Sequence, residues 1–102
     1  MATVRITEQA WSDLDAILDY YDQSAPGFSE VFEEEVVEKI RRLEDVPRMG
    51  RIVPEIGDEA LRKLIHRSYR IVYYVDTEDE TVEVLTIFHS SQQFGGMDGD
   101  EE

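Results

Sequence analysis

The chain has 102 residues, and 41% of them are apolar, which is enough for the core of one small domain. It contains no cysteine, which excludes disulfides, thiolate metal sites and a cysteine nucleophile, and no apolar stretch approaches the roughly 20 residues that span a membrane. The 24 acidic and 10 basic residues give a net charge of −14, with only two lysines. Such a surface is typical of proteins that fold in concentrated salt, where ions screen self-repulsion. We therefore expect a cytoplasmic protein, without a secretory signal, from a salt-loving organism.

The first predicted elements are a short strand and a helix. Alternation in "TVRIT" predicts a strand with Val4 and Ile6 on one side, and Thr7 is placed to cap the helix that follows. In "EQAWSDLDAILDYYDQ" the apolar residues recur every three or four positions, which predicts a helix with one buried face. The break at "SAPG" ends this helix. The residues expected on its buried face are Trp11, Leu14, Ile17, Leu18 and Tyr21.

A second amphipathic helix is predicted directly after this break. Its apolar residues also recur every three or four positions, and it ends at "EDVP" because proline disfavours the helical conformation in the preceding residue. Two helices joined by so short a link predict an antiparallel hairpin. The residues expected to be buried are Phe28, Phe32, Val36, Ile40 and Leu43.

The remaining elements are predicted strands. "RMGRIVPEIGDEA" has the glycine and proline content of a loop, and "LRKLIHR", "YRIVYYV" and "TVEVLTIFH" follow as three strands that can form an antiparallel meander. The fold class is therefore α+β in the order β-α-α-β-β-β, with an antiparallel sheet packed against an antiparallel helical hairpin. Residues 1–94 are expected to form one domain, and the acidic, glycine-rich segment 95–102 is expected to be a disordered tail.

The charge is distributed unevenly along the chain. Between Lys39 and Arg70 nine cations stand against five acids, so this third of the chain carries +4 while the rest is strongly acidic. A local basic field on an acidic body indicates a surface for an anionic partner, although single arginines could instead pair with nearby carboxylates. Alternation along "YRIVYYV" places Arg70 on the same face as Val72 and Tyr74.

Four segments of the sequence resemble the RelE/ParE family of toxins from toxin–antitoxin modules. They are "DLDAILDYY", "IRRLEDVPRMGR", "LRKLIHRSYRIVYYVD" and "VEVLTIFH", and the resemblance runs from about Val4 to His89. It implies a small α+β fold and one of two activities. RelE-like members cut messenger RNA in the ribosomal decoding site, ParE-like members poison DNA gyrase, and an antitoxin neutralises both. The long helices and "PRMGR" look closer to the ParE side.

The resemblance also implies roles for several cations. Arg70 in "SYR" matches the family's strand arginine, a phosphate-stabilising position, and Lys63 in "LRKL" falls near a family lysine. Both are candidate catalytic residues. Arg62 and Arg67 lie close to them in sequence, so we predict that Arg62, Arg67 and Arg70 bind nucleic acid or another target.

The sequence departs from the family after its last strand. Relatives usually carry arginines there, whereas this chain reads "FHSSQQF", in which Phe94 cannot donate a proton. This departure weakens the ribonuclease interpretation, since uncharged donors stabilise a phosphate less well. His89 is a candidate base, with a ring hydrogen bond to a neighbouring strand end as the alternative. Arg48 and Arg51 are predicted structural or antitoxin contacts, and two unrelated histidines predict no metal site.

We therefore expect the toxin component of a type II toxin–antitoxin module of the kind that stabilises plasmids. It would inhibit growth by ribosome-dependent messenger RNA cleavage, as an endoribonuclease, or by poisoning a topoisomerase. The expected partners are a cognate antitoxin, in a hetero-oligomer, and the ribosome with its message or DNA gyrase. No membrane and no cofactor are expected. The alternative is a degenerate binding module that keeps antitoxin binding but has lost activity.

Overall fold

A computed structural model of the protein describes residues 1–54 and 56–91, and these residues form two helices packed against a five-stranded sheet. The predicted α+β class and order of elements are confirmed. The expected tail, residues 95–102, lies outside the described residues. The elements are β1 (Thr3–Ile6), α1 (Glu8–Ser24), α2 (Phe28–Arg41), a 3-10 turn (Arg42–Glu44), β2 (Arg51–Ile52), β3 (Leu61–His66), β4 (Tyr69–Asp76) and β5 (Thr81–His89).

The strands lie in the order β1-β5-β4-β3-β2. The predicted meander of β3, β4 and β5 is antiparallel throughout, as expected from its short connections. Two features go beyond the prediction. Strand β1 pairs with β5 in the parallel direction, so the sheet is mixed, and the two residues of β2 pair with β3 from within the segment predicted as a loop.

Helix α1 begins as predicted and turns the predicted face to the core, with Leu14 buried and Ile17, Leu18 and Tyr21 packed against it, except at Trp11. The Thr7 hydroxyl accepts a hydrogen bond from the Ala10 N–H at 3.2 Å and caps the helix. The buried residues are Ala10 and Leu14, whereas Trp11 is 46% exposed, so its prediction as a core residue is wrong. Trp11 lies about 100° around the helix from Ala10, and it is Ala10, with a methyl side chain, that faces the core.

Helix α2 buries the predicted stripe. Phe32, Val36 and Ile40 face the sheet, and the buried stripe continues through Leu43 in the 3-10 turn. The helix is preceded by Gly27, whose φ of 93° is left-handed and lets the chain reverse direction after α1. The prediction of a helical hairpin with one continuous core is therefore confirmed.

The two faces of the sheet differ in what covers them. On β4, Tyr69, Ile71, Tyr73 and Val75 belong to the core under the helices, while Val72 points to the opposite face and is 1% exposed. Alternation predicts this division. The alternation continues along β4 because the extra residue at the register shift between Val72 and Tyr73 belongs to β5. Within the described residues, neither helix is long and apolar enough to cross a membrane.

Candidate functional site: a cationic face of the sheet

The face of the sheet turned away from the helices carries a band of cations. Lys63 on β3 lies directly opposite Arg51 on β2 and, on its other side, Val72 on β4. Arg70 is paired with Ile65 and with Phe88 on β5. By alternation these side chains share one face. We call the part of this surface around Lys63 and Arg70 the cationic face, and its members are Arg51, Lys63, Ile65, Arg70, Val72, Tyr74 and Phe88. The acid Glu83, the partner of Tyr74 on β5, borders it.

The placement of the charges on this face favours an anion. Arg51 and Lys63 are direct cross-strand partners, an arrangement in which like charges repel each other. Arg70 lies one diagonal step from Lys63, within reach of long side chains. Lys63 is 6% exposed and Arg70 is 7% exposed, so both charges lie in a medium where electrostatic interactions are stronger than in water. Three cations on three neighbouring strands therefore lie close together, an arrangement that suits a phosphate or carboxylate group.

Arg62 has a different environment from the cationic face, although it is next to Lys63 in sequence. Its guanidinium donates to the carbonyl oxygens of Glu59 at 3.0 Å, Gly50 at 2.9 Å and Arg48 at 3.3 Å. Arg62 thereby connects Arg48 and Gly50, which precede β2, with Glu59, which follows it. These contacts give Arg62 a structural role, and its predicted part in target binding stays a prediction.

Arg67 and His66 meet at a carboxylate of α2. Arg67 donates to Glu35 Oε1 at 2.8 Å and to Glu35 Oε2 at 2.9 Å, and His66 Nε2 lies 2.9 Å from Glu35 Oε1. The guanidinium of Arg67 also lies 5.0 Å from the ring centre of Phe28. Arg67 has a left-handed φ of 55° in the β3–β4 turn. This cluster joins the turn to α2 on the helix side of the sheet.

The Glu35 cluster also shifts the titration of its members. The hydrogen bonds from Arg67 lower the pKa of the Glu35 carboxyl from its ordinary value to about 2, despite an opposing effect of desolvation. Burial lowers the pKa of His66, which favours the neutral ring. Hydrogen bonding to Glu35 raises the pKa of Arg67. At neutral pH the pair Glu35 and Arg67 is therefore fully charged.

His89 lies away from the cationic face. It is the cross-strand partner of Tyr69, and the two rings make an edge-to-face contact with centres 5.2 Å apart. Its Nδ1 lies 2.8 Å from the Ser91 hydroxyl and accepts a hydrogen bond from the Ser91 N–H at 3.0 Å. The candidate base is thus on the helix side of the sheet, and the structure does not bring it together with Lys63 and Arg70.

The family model described as "ParE toxin of type II toxin-antitoxin system, parDE" matches residues 4–94, which is most of the chain. The chain belongs to the ParE toxin family. The chromosomal ParDE toxin–antitoxin system of P. aeruginosa is similar, with 25% identity over 87% of this chain and 96% of that chain and a TM-score of 0.72. The M. tuberculosis RelBE2 toxin–antitoxin complex gives 27% identity over 86% and 96% of the two chains, with a TM-score of 0.61.

One further structure shares the fold with this ParE-family chain. The isolated E. coli RelE toxin has 18% identity over 87% of this chain and 84% of that chain, with a TM-score of 0.64, and at that identity the likeness shows the fold alone. A comparison with curated proteins gives no match. The two predicted catalytic cations, Lys63 and Arg70, and the more distant His89 all lie inside the matched span. Their assignment as catalytic residues stays a prediction.

The two predicted antitoxin contacts of the ParE-family chain, Arg48 and Arg51, lie in different places. Arg48 is exposed and lines a groove of about 240 Å³ with Asp76 and Thr77, at the far end of β4. Arg51 is part of the cationic face through its pairing with Lys63. In the parts of the chain that the structure describes, no three acidic or histidine side chains are grouped to hold a metal ion.

Sequence reasoning missed Glu35, which lies within a run of acidic residues in α2. A signal for it was present, because Glu35 is seven residues after Phe28 and three after Phe32, on the margin of the buried stripe. Its neighbours Glu33 and Glu34 point outward and are exposed. A carboxylate on that margin can reach the strand turn, whereas its neighbours cannot.

Replacing Glu35 by glutamine should make this ParE-family chain less stable at pH 7 by a few degrees in Tm. The folded-state pKa of Glu35 is lowered, so its stabilising effect is present above the ordinary value of 4.5 and is lost as the pH falls toward about 2. The difference in Tm between the wild type and Glu35→Gln should therefore shrink as the pH falls from about 5 to about 2. Thermal melts followed by circular dichroism measure it.

The matched control is Glu34→Gln, which removes the same charge from an exposed neighbour. It should change Tm little at any pH. A pH-independent difference between the wild type and Glu35→Gln would contradict the assignment, because it would show that the charge of Glu35 does not contribute.

Proposed function

We propose that this chain is the growth-inhibiting toxin of a type II toxin–antitoxin module and that its cationic face contacts the target. The observation that carries the proposal is the band formed by Arg51, Lys63 and Arg70 on the face away from the helices. An acidic protein of net charge −14 repels nucleic acid and acidic protein surfaces in general. A concentrated positive field on one face therefore supports specific binding of an anionic surface there.

We favour a topoisomerase with its bound DNA as the target over ribosome-bound message. Cleavage of RNA by its own 2′-hydroxyl needs a group that accepts the proton and a group that protonates the leaving oxygen. Both histidines point to the helix side, where His66 contacts Glu35 and His89 contacts Ser91. The described residues of the cationic face offer cations and the Tyr74 hydroxyl. Lys63 and Tyr74 are thus the groups of this face, among the described residues, that could transfer a proton. We favour binding and blocking of a topoisomerase because the ParE family model matches the chain.

The partner that neutralises the toxin is proposed to be a cognate antitoxin, as in the ParDE and RelBE2 systems. Strand β1 covers only the first half of β5, ending opposite Val84, and beyond it the Ile87 N–H donates to Asp13 Oδ2 of α1 at 3.0 Å. A groove of about 280 Å³ between Ile17 and Tyr20 of α1 and Ile87 of β5 borders this edge. We propose that an antitoxin segment binds in this groove; pairing with the edge itself would require it to displace Asp13 from the Ile87 N–H. The predicted contacts at Arg48 and Arg51 stay predictions.

The deciding experiment induces the chain alone and records growth, RNA 5′ ends and topoisomerase–DNA cleavage complexes within minutes. Growth arrest with accumulated cleavage complexes and no new RNA ends is the expected result. New RNA ends inside translated codons would replace the proposed target by ribosome-bound message. Normal growth at a confirmed level of folded protein would overturn the toxin role and leave a binding module.

The source of the protein affects how this experiment is done. The acidic, lysine-poor composition supports the proposal that the chain works in concentrated salt. The induction should therefore be carried out both in an ordinary host and in a salt-loving host. A chain that is folded and active equally in both would remove the proposed dependence on salt without affecting the toxin role.

A further inference from the structure

The edge of β5 is capped by side chains from the start of α1. Strand β1 pairs with β5 as far as Val84, and there the Thr7 hydroxyl lies 2.9 Å from the Val84 carbonyl oxygen. Further along the edge, Asp13 Oδ2 accepts hydrogen bonds from the Ile87 N–H at 3.0 Å and from the Thr86 hydroxyl at 2.6 Å. The Ile87 N–H, which points away from β4, is therefore bonded to a carboxylate of α1 where a further strand would offer a carbonyl.

The opposite edge of the sheet is capped in the same way by α2. The Val53 N–H donates to the Leu61 carbonyl at 3.2 Å, so by alternation the main-chain groups of Leu61, Lys63 and Ile65 point away from β4. Pairing with β2 reaches only as far as Lys63. Beyond it, Lys39 Nζ donates to the Ile65 carbonyl at 3.1 Å. Each helix thus supplies one charged side chain to one edge, an anion to an N–H and a cation to a carbonyl.

The strand segment at the β5 edge carries no charge of its own. Residues 84–89 read "VLTIFH", with no Asp, Glu, Lys, Arg or Pro. A run of strand-forming residues along a sheet edge is a template for pairing with another chain, and native sheets block such pairing with charged side chains. Here the charge comes from Asp13, which is 74 positions away from Ile87 in the sequence.

We propose that Asp13 and Lys39 are edge-blocking residues that prevent a second copy of this chain from pairing with β5 and with β3. The proposal does not depend on the proposed function, since it concerns only the self-association of the folded chain. Both edges lie next to the row of Arg70, whose cross-strand partners are Ile65 on β3 and Phe88 on β5. A copy bound at either edge would therefore extend the sheet beside the cationic face.

A second copy is the partner that the uncovered β5 edge would fit. Two identical strands pair in the antiparallel direction around a twofold axis, and the contact closes with one dimer. In such a dimer a carbonyl of the other copy would replace Asp13 as the acceptor for Ile87. The net charge of −14 opposes association. The pairing should therefore be measured in about 1 M salt, where the Debye length is about 3 Å.

The first test measures the self-association of Asp13→Ala by sedimentation equilibrium. Its weight-average mass should rise toward twofold between about 20 µM and about 1 mM, while that of the wild type stays constant. Asp15→Ala removes the same charge from an exposed position of α1, and Asp13→Asn keeps an oxygen acceptor for Ile87. Both controls should behave as the wild type. A constant mass of Asp13→Ala, or an equal rise in Asp15→Ala, would overturn the proposal for β5.

Lys39→Ala applies the same test to the edge of β3, and it does not require that Asp13→Ala folds. It should also dimerise, whereas Arg41→Ala, which removes a cation that is 64% exposed, should not. The double variant Asp13→Ala with Lys39→Ala has two uncovered edges, so its copies should add to one another without closing. Thioflavin T fluorescence should then rise about tenfold or more over the wild type. Equal masses of Lys39→Ala and the wild type at every concentration would overturn the proposal for β3.

Hydrogen exchange locates the contact. The Ile87 amide should exchange about tenfold faster in dilute Asp13→Ala than in the wild type, because its acceptor is gone. It should become protected again at the concentration where the mass doubles. Dimerisation without renewed protection of Ile87 would show that the copies meet elsewhere, and the role of Asp13 at the edge would be wrong.

Discussion

Arg70→Ala should relieve growth inhibition almost completely, with colony formation under induction rising about 100-fold or more. Arg70 lies on β4, the central strand of the sheet, between its partners Ile65 on β3 and Phe88 on β5, and is 7% exposed. Truncating a charge that contacts a partner in such a desolvated position typically costs about 2 to 5 kcal/mol of binding. Colony counts on inducing and non-inducing plates measure the effect.

Two controls separate a lost contact from a lost fold. Arg70→Met keeps most of the apolar stem, so it should remain folded at the growth temperature while still losing toxicity. Arg41→Ala removes an arginine that is 64% exposed at the end of α2, and it should remain fully toxic. If Arg70→Met were toxic at the wild-type level, the charge of Arg70 would play no part in the target contact, and the cationic face would lose its central residue.

The helices could be predicted from the sequence because their physics is local. In α2 the residues Phe32, Val36 and Ile40 recur at the helical period, and the structure buries all three. The strands β3, β4 and β5 follow one another closely enough that the antiparallel meander was the simplest pairing. In both cases the pattern depends on neighbours within a few residues.

Features set by distant neighbours could not be predicted. The parallel pairing of β1 with β5 joins Thr3 to Thr81, and the two residues of β2 become a strand only because β3 lies beside them. Trp11 has the right spacing for the buried face of α1, yet Ala10 occupies that face. Hydrophobicity and period alone do not distinguish which of two adjacent residues faces a sheet that lies elsewhere in the sequence.

In the candidate site, too, some features could be predicted from the sequence and others depend on distant residues. Arg70 and Lys63 could be named from the sequence and the resemblance, and the strand register places them together. The structural contacts of Arg62 with three carbonyls could not be foreseen, because they involve residues up to 14 positions away. Charge identifies a candidate cation, but only the register shows which cations share a face.

Gly50→Ala should be strongly destabilising, lowering the free energy of unfolding by about 2 to 5 kcal/mol and Tm by at least about 10 °C. A β-carbon at Gly50 would lie 2.6 Å from the Lys63 carbonyl oxygen and 2.6 Å from the Tyr73 hydroxyl oxygen. The Gly50 N–H donates to that hydroxyl at 2.8 Å in a buried position. Relief of the overlap would separate the pair and leave the buried N–H without its acceptor.

Two variants dissect the effect. Tyr73→Phe removes the hydroxyl without adding an atom and should cost about 1 to 2 kcal/mol. Gly57→Ala should cost only about 1 kcal/mol, from its left-handed φ of 75°, since nothing lies within 4 Å of the added carbon. Urea unfolding of the three variants measures these differences. If Gly50→Ala lost no more stability than Gly57→Ala, the backbone around Gly50 would be relaxing freely.

The consequence of Gly50→Ala should extend to the cationic face. The atom that the new methyl group would overlap belongs to Lys63, and the next residue after Gly50 is Arg51, the cross-strand partner of Lys63. Separation of the two strands would move both cations. Gly50→Ala should therefore lose toxicity even at temperatures where it remains folded, whereas Gly57→Ala should keep it. Full toxicity of folded Gly50→Ala would show that the spacing between Arg51 and Lys63 does not matter for the target contact.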